Sequence, residues 1–243
     1  MNPELSVVIP ARNEAGNLPV LFDEIRRALD GRLPFEIVCV DDGSDDGTPA
    51  ELRELKGRSD DLRVIRHGQS CGQSTAVLSG VRAARGRLIA TLDGDGQNDP
   101  ADIPALLDAW DQAREQSRPL LIIGHRTARH DTWLRRLSSR IANSVRGWLL
   151  GDRTPDSGCG LKVFRRADYL NLPYFDHMHR FTPALILRDG GRVESVAVGH
   201  RARREGKSKY GLHNRLWVGI VDLFGVRWLM RRSRRPNDVQ ELE

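Results

Sequence analysis

Short apolar runs alternate with helix-period segments through the first half of the chain. The runs Leu5–Ile9, Glu36–Val40, Leu62–Arg66, Leu88–Leu92 and Leu120–Gly124 predict strands. Between the first two, Leu18, Leu21, Phe22, Ile25 and Leu29 fall on one helical face. Thr48-Pro49-Ala50-Glu51 has the form of a capping box with proline in the first turn, and Asp99-Pro100 opens a further helix in the same way. This alternation predicts an α/β fold with a mostly parallel sheet flanked by helices.

The second half is less regular. "WLRRLSSRIANSVRGWLLG" (133–151) predicts a basic helix, and "DSGCGLKVF" a glycine-rich turn running into a strand. "RVESVAVGHRARREGKSKYG" predicts a strand followed by a basic loop. A last helix, about Asn214 to Met230, carries Trp217, Ile220, Val221, Phe224 and Trp228 at helical spacing. That stripe either packs on the sheet or lies in a membrane interface, since tryptophans flank it and "RRSRR" follows. The expected division is a catalytic domain at 1–213, this helix within 214–235, and a tail at 236–243.

At 243 residues, 39% hydrophobic and 29% charged, the chain is long enough for one sizeable globular core. Its net charge of +5 and pI near 9.5 favour anionic partners. Arginines crowd 126–146, 201–215 and 227–235, whereas acids concentrate before about residue 115. Three scattered cysteines, Cys39, Cys71 and Cys159, argue against a disulfide framework and for a reducing compartment. No signal peptide is legible at the N-terminus, and no window is apolar enough for a membrane-spanning helix.

In an open parallel sheet, ligands gather at the carboxyl ends of the strands. Four polar clusters follow predicted strand ends: "PARNE" (10–14), "DDGSDDG" (41–47), "DGDGQ" (93–97) and "GHR" (124–126). They should therefore meet at one rim. Asp93 and Asp95, spaced i and i+2, can share one hard divalent cation, and Gln97 can add a carbonyl oxygen. An EF-hand is excluded, because the loop positions that need glycine and glutamate hold Asn98 and Pro104. Asn98, Asp99 and Pro100 read instead as the end of the turn and the start of a helix. Asp41, Asp42 and Glu14 can either accept hydrogen bonds from a nucleoside or cap local turns. A nucleic-acid-binding module would leave the acidic strand ends unexplained and lacks aromatic residues interleaved with the basic ones. A dinucleotide oxidoreductase is disfavoured because strand 1 leads to "PARNEAG" rather than GxGxxG.

"VVIPARNE", "VCVDDGSDDGT", "LDGDGQNDP" and "DSGCGLKVFRR", in that order, resemble a family 2 glycosyltransferase of the GT-A fold. "GHR" and "HRARREGKSKYG" bring the resemblance closest to the dolichol-phosphate mannosyltransferase branch. The likeness runs from about residue 4 to 230. It implies a Rossmann-like nucleotide-diphospho-sugar transferase domain, with Pro10, Arg12, Glu14, Val40, Asp42, Asp93, Gly94 and Asp95 holding a GDP- or UDP-hexose. Asp93, Asp95 and Gln97 would hold Mg²⁺ or Mn²⁺. Arg126, Arg140, Ser144, Arg203, Ser208 and Lys209 would receive the phosphate of a polyprenyl (dolichyl or undecaprenyl) acceptor. Asp95, Arg126, Arg140 and Arg203 would be the catalytic set. Two features depart from the family pattern: Arg12 stands where relatives often carry an aromatic, and "GQSCG" (68–72) is an unusual glycine-rich loop.

The implied reaction is inverting transfer of a hexose, expected to be mannose, at the cytoplasmic face of a membrane. The protein would rest on that surface or on a membrane-anchored partner, without nucleic acid. A polyprenyl phosphate is already an anion, so arginines suffice to orient it and no general base is needed. Transfer to a hydroxyl would require a base, for which Asp156 is the candidate. Arg135, Arg136, Arg140 and Arg146 could alternatively form a solvated basic face.

Overall fold

A computed structural model describes residues 2–114, 118–127, 146–202 and 212–233, with side chains of the last helix described from Val218 onward. Seven strands form one sheet: β1 (Leu5–Ala11), β2 (Phe35–Asp41), β3 (Leu62–Arg66), β4 (Leu88–Thr91), β5 (Leu120–Arg126), β6 (Lys162–Arg165) and β7 (Arg192–Val198). Their order is β3-β2-β1-β4-β6-β5-β7. All strands run parallel except β6, which is antiparallel to both neighbours. The predicted strands are all present, with β1, β2 and β5 running one or two residues further toward the rim than their apolar runs. Pro10, Ala11, Asp41, His125 and Arg126 are included because ladder pairing, not side-chain polarity, decides where a strand stops.

Helices cover both faces: α1 (Leu18–Leu29), α2 (Thr48–Gly57), α3 (Gln73–Ala83), α4 (Ile103–Ala113), α5 (Arg166–Leu170), α6 (Thr182–Arg188) and α7 (Leu212–Arg231). The predicted face of α1 (Leu18, Leu21, Phe22, Ile25 and Leu29) is buried throughout. Fully enclosed strand residues such as Val7, Ile9, Ile37 and Ile122 form the other half of this core. The α3 helix lies close on β1 and β2, and only glycine fits at position 80. A Cβ there would stand 2.4 Å from Val8 Cγ1 and 3.2 Å from Val40 Cγ2.

The capping box expected at Thr48–Glu51 does not form. Thr48 is the first residue of α2, and its N–H donates to Asp46 Oδ1 at 2.9 Å. Its hydroxyl instead accepts from the Glu14 N–H at 2.9 Å, and Glu51 accepts from the Gly16 N–H at 3.1 Å. Both side chains therefore tie the loop after β1 to the helix after β2. Across the same seam the Asn13 N–H donates to Ser44 Oγ at 2.9 Å, with Asn13 at φ 57°. At the next helix Asp99 Oδ1 accepts from the Ala101 N–H at 2.9 Å, the capping role read from sequence.

The last helix starts at Leu212, two residues before its predicted position. The Trp217 side chain of the predicted stripe lies outside the described residues, and the described members Val221, Phe224 and Trp228 are not buried on the sheet. Leu223, Val226 and Met230 pack instead with Phe181 and Ala184 and with Leu149 and Leu150 of the helical segment 146–150. Arg227 Nη1 donates to the Leu149 carbonyl. This leaves Val221, Phe224 and Trp228 facing outward at 68%, 62% and 58% exposure, with Trp148 at 82%. The Arg232 guanidinium lies 5.9 Å from the Trp228 ring centroid. No helix among the described residues is long and apolar enough to cross a membrane.

Candidate active site

Parallel pairing of β1, β2 and β4 brings "PARNE", "DDGSDDG" and "DGDGQ" to one rim. Because β6 is antiparallel to both β4 and β5, "GHR" at the end of β5 arrives there too. The same inversion delivers the turn before β6 to this rim, so residues 156–161 stand between the two clusters.

Asp93 is seated by three neighbours. Gln73 Nε2 donates to its Oδ1 at 2.8 Å. A Cβ at Gly160 would lie 2.2 Å from its Oδ2, so only glycine admits the carboxylate. Thr91 Oγ1 fixes that glycine by donating to its carbonyl at 2.6 Å. Gly94 packs under the end of β1, where a Cβ would meet the Pro10 carbonyl at 3.1 Å. Asp95 Oδ1 accepts from the Gln97 N–H at 3.1 Å. Asp93, Asp95 and the side-chain amide oxygen of Gln97 offer an all-oxygen donor set, which suits Mg²⁺ or Mn²⁺.

A clamp that sequence reasoning missed closes this loop from β7. The Arg201 N–H donates to the Gln97 backbone carbonyl at 2.9 Å. Its guanidinium pairs with Asp99 at 2.5 Å and Glu24 at 2.8 Å. Asp99 thus does more than cap a helix. Residues 203–211, which follow, lie outside the described residues.

Asp42 is occupied within the protein. Its Oδ1 is 2.7 Å from His67 Nδ1 and 2.8 Å from the Cys71 N–H; its Oδ2 accepts from Ser70 Oγ at 2.8 Å and the Gly72 N–H at 2.9 Å. Burial works against the charge, but these four bonds hold the Asp42 carboxyl below its ordinary range. Asp42 organises "GQSCG", and the cysteine contributes through its backbone. Asp42, His67 and Cys71 also form the one group of three metal-capable His, Cys or acidic side chains among the described residues. A cation there would have to replace four hydrogen bonds, so the oxygen set at Asp93–Gln97 fits a metal better.

Other nucleotide-side residues fall as follows. Pro10 lines the cavity below, and Arg12 is exposed at the rim. Glu14 Oε2 accepts from Asn17 Nδ2 at 2.8 Å. The Val40 side chain is fully buried against α3, so it faces the core rather than the rim.

On the β5 side, Arg126 and Asp156 form a two-pronged ion pair, Nε to Oδ2 at 2.6 Å and Nη2 to Oδ1 at 2.8 Å. Burial disfavours the guanidinium charge, yet the Asp156 bonds raise its proton affinity above the ordinary value. Arg146 is no solvated residue. It pairs with buried Asp152 at 3.2 Å and donates to the Thr154 carbonyl and Ser157 Oγ, bracing the turn that carries Asp156. Arg135, Arg136, Arg140, Ser144, Arg203, Ser208 and Lys209 lie outside the described residues.

Between these two groups a cavity of about 380 Å³ opens at the rim, lined by Asp93, Arg126 and Asp156. Its wall also holds Lys162, Tyr169, His179 and Arg180, none of which the sequence reading singled out. Burial chiefly, then the charges of Lys162, Arg180 and His177, lowers the His179 pKa to about 3, so its imidazole is neutral.

The sequence family described as "Glycosyl transferase family 2" matches residues 6–171. The dodecaprenyl-phosphate galacturonate synthase of Rhizobium johnstonii is 38% identical over 96% of this chain and 69% of its own length. An undecaprenyl-phosphate 4-deoxy-4-formamido-L-arabinose transferase of Edwardsiella ictaluri is 35% identical over 86% of this chain. The chain spans 63% of that relative's length. Among solved structures, glucosyl-3-phosphoglycerate synthase of Mycobacterium tuberculosis, in complex with Mn²⁺, UDP and glucosyl-3-phosphoglycerate, aligns with a TM-score of 0.67. That alignment has 19% identity and covers 94% of this chain and 80% of the other, a likeness of fold.

Proposed function

The chain belongs to the family 2 glycosyltransferases, and from that premise we propose that it transfers a sugar from a nucleotide donor to a polyprenyl phosphate. The observation that carries this reading is the meeting of an all-oxygen cation loop and an oriented arginine at one cavity. Asp93, Asp95 and Gln97 would hold Mg²⁺ or Mn²⁺, which supplies charge for the departing diphosphate. The tied loops after β1 and β2, with the Asp42-ordered glycine loop, form the wall for the nucleoside. Arg126, fixed by Asp156, faces the acceptor phosphate, with Arg140, Ser144, Arg203, Ser208 and Lys209 as further partners.

Both relatives named above are polyprenyl-phosphate enzymes, which supports the acceptor. Neither name contains mannose; the sugars they name are galacturonate and a formamido-arabinose. UDP accompanies Mn²⁺ in the structural neighbour, which favours a uridine donor over the guanosine alternative. The hydroxyl-acceptor reading loses ground, because its candidate base, Asp156, is bound on both oxygens by Arg126. The outward face of Trp148, Val221, Phe224 and Trp228, with Arg231 and Arg232 beside it, supports docking on an anionic membrane surface.

The test is a panel of nucleotide sugars offered with undecaprenyl phosphate and Mn²⁺ or Mg²⁺, read as glycolipid formed. Transfer that needs the cation and falls at least roughly a hundredfold in Asp95→Ala is the expected result. Full activity of Asp95→Ala at saturating metal would refute the assignment.

A further inference from the structure

Arg201 does not line the cavity, yet it holds the outer side of the loop that carries Asp93, Asp95 and Gln97. Its N–H donates to the Gln97 carbonyl at 2.9 Å, while the Gln97 N–H donates to Asp95 Oδ1 at 3.1 Å. Both peptide groups that flank the Gln97 Cα are therefore fixed. The backbone carbonyl is taken, which leaves the side-chain amide oxygen as the ligand this residue can offer. The Arg201 guanidinium spans two further elements, with Nη1 2.8 Å from Glu24 Oε2 on α1 and Nη2 2.5 Å from Asp99 Oδ2. Just before it the Gly199 N–H donates to Asp102 Oδ2 at 2.8 Å, so the chain leaving β7 is laced to the loop over 97–102.

The loop needs such a hold. Gly96 turns it through a left-handed conformation, φ 70°, and a Cβ there would meet nothing within 4 Å, so packing does not steady the turn between Asp95 and Gln97. The same stretch carries Asp93, Asp95, Asp99 and Asp102, which repel one another. Burial works against the Arg201 charge, but its bonds to Asp99 and Glu24 outweigh that and raise its proton affinity above the ordinary value. It therefore stays a cation.

That cation acts on a bound metal in two ways of opposite sign. Its charge repels a divalent ion, so removing the charge alone would tighten metal binding. Its hydrogen bonds hold a ligand residue in place, and losing a partner of that kind costs roughly 10–100-fold in metal affinity. Asp99 and Glu24 neutralise the charge at contact distance, so the repulsion is small and the hold dominates. We propose that Arg201 is a positioning residue for the divalent cation, setting its affinity by fixing Gln97 through the Glu24–Arg201–Asp99 bridge. The inference rests on the cation assignment of Asp93, Asp95 and Gln97 made above.

Free Mn²⁺ gives a paramagnetic resonance signal that falls as the ion binds, so its Kd is read without turnover, alone and with UDP. Arg201→Ala should weaken Mn²⁺ binding roughly tenfold, and Glu24→Gln, which removes only the far anchor, roughly threefold. Arg201→Lys, which keeps the charge but not the fork, should recover part of the loss. Adding Arg201→Ala to Gln97→Ala should cost less than about twofold more than Gln97→Ala alone, because the ligand to be positioned is already gone. Unchanged or tighter binding by Arg201→Ala, or additive losses in the double variant, overturns the proposal. Circular dichroism checks each fold; if Arg201→Ala does not fold, wild-type affinity in both Glu24→Gln and Arg201→Lys overturns it instead. Wild type that binds no Mn²⁺ in either condition, or Asp95→Ala that binds it as wild type does, overturns the cation assignment and this inference together.

Discussion

Asp42→Asn isolates what the four-bond carboxylate does. The amide keeps one acceptor oxygen and replaces the other with a donor. If the NH₂ takes the Oδ2 position it faces Ser70 Oγ, which can rotate to accept, and the Gly72 N–H, which cannot. In the Oδ1 position it faces His67, which can change tautomer, and the Cys71 N–H, which cannot. Either way one backbone N–H is left opposing a donor, and the remaining bonds lose their charge assistance. One unpaired donor costs about 1–3 kcal/mol, and weakening the remaining bonds adds about 1 kcal/mol, so the loss should be about 2–4 kcal/mol. Urea unfolding of the ligand-free protein measures it directly.

The pH dependence follows from the sign of the shift. The folded-state pKa of Asp42 is depressed, so its contribution is present above the unfolded carboxylate value and is lost as pH falls through the folded one. Wild type and Asp42→Asn should therefore differ fully at neutral pH and converge in acid below about pH 4. If Asp42 served chiefly as a nucleotide ligand, the substitution would raise the donor KM and leave ligand-free stability unchanged. That outcome would refute the loop-organising role.

Two further predictions follow from packing. Gly160→Ala places a methyl 2.2 Å from Asp93 Oδ2 and must push the carboxylate aside; kcat/KM should fall roughly a hundredfold while circular dichroism stays native, and unchanged kinetics would mean Asp93 does not need its seat. Phe224→Ala combined with Trp228→Ala should reduce co-sedimentation with anionic liposomes severalfold and change stability by only about 0.5 kcal/mol per site; equal sedimentation would exclude this face from membrane contact.

What was legible in the sequence was local. The five early strands, the buried face of α1 and the Asp99 cap each arise within ten or so residues, where spacing and turn residues carry the information. Thr48 and Glu51 show the limit: their spacing matched a cap, but the loop after β1 offered its N–H groups from more than thirty residues away. Arg201 and the Asp42 network are long-range pairings that spacing does not encode, and Arg146 pairs within eleven residues across an irregular turn that has no period to read. Val40 was assigned to the nucleotide by the family resemblance alone; its side chain is buried against α3, which leaves only its backbone for such a contact. One signal for the deep cavity was present. Lys162 is a lone charge in the apolar run "GLKVF", and a lysine on a central strand must face something polar.

The inverted strand β6 sits between β4 and β5 and pairs with both, Lys162 opposite Thr91 and opposite Ile123. Successive residues on it point to opposite faces, so Lys162 and Phe164 border the cavity on one face, Phe164 as part of the core, while Val163 packs on the other. The strand therefore behaves as a two-sided template. Substitution at position 162 changes the charge of the cavity, whereas substitution of Phe164, 1% exposed and stacked on Tyr169, would disturb the core as well. A shift by one residue along the ladder would exchange lysine for valine in the cavity, so any change in length of the preceding turn acts on the charge of that cavity as an all-or-none switch.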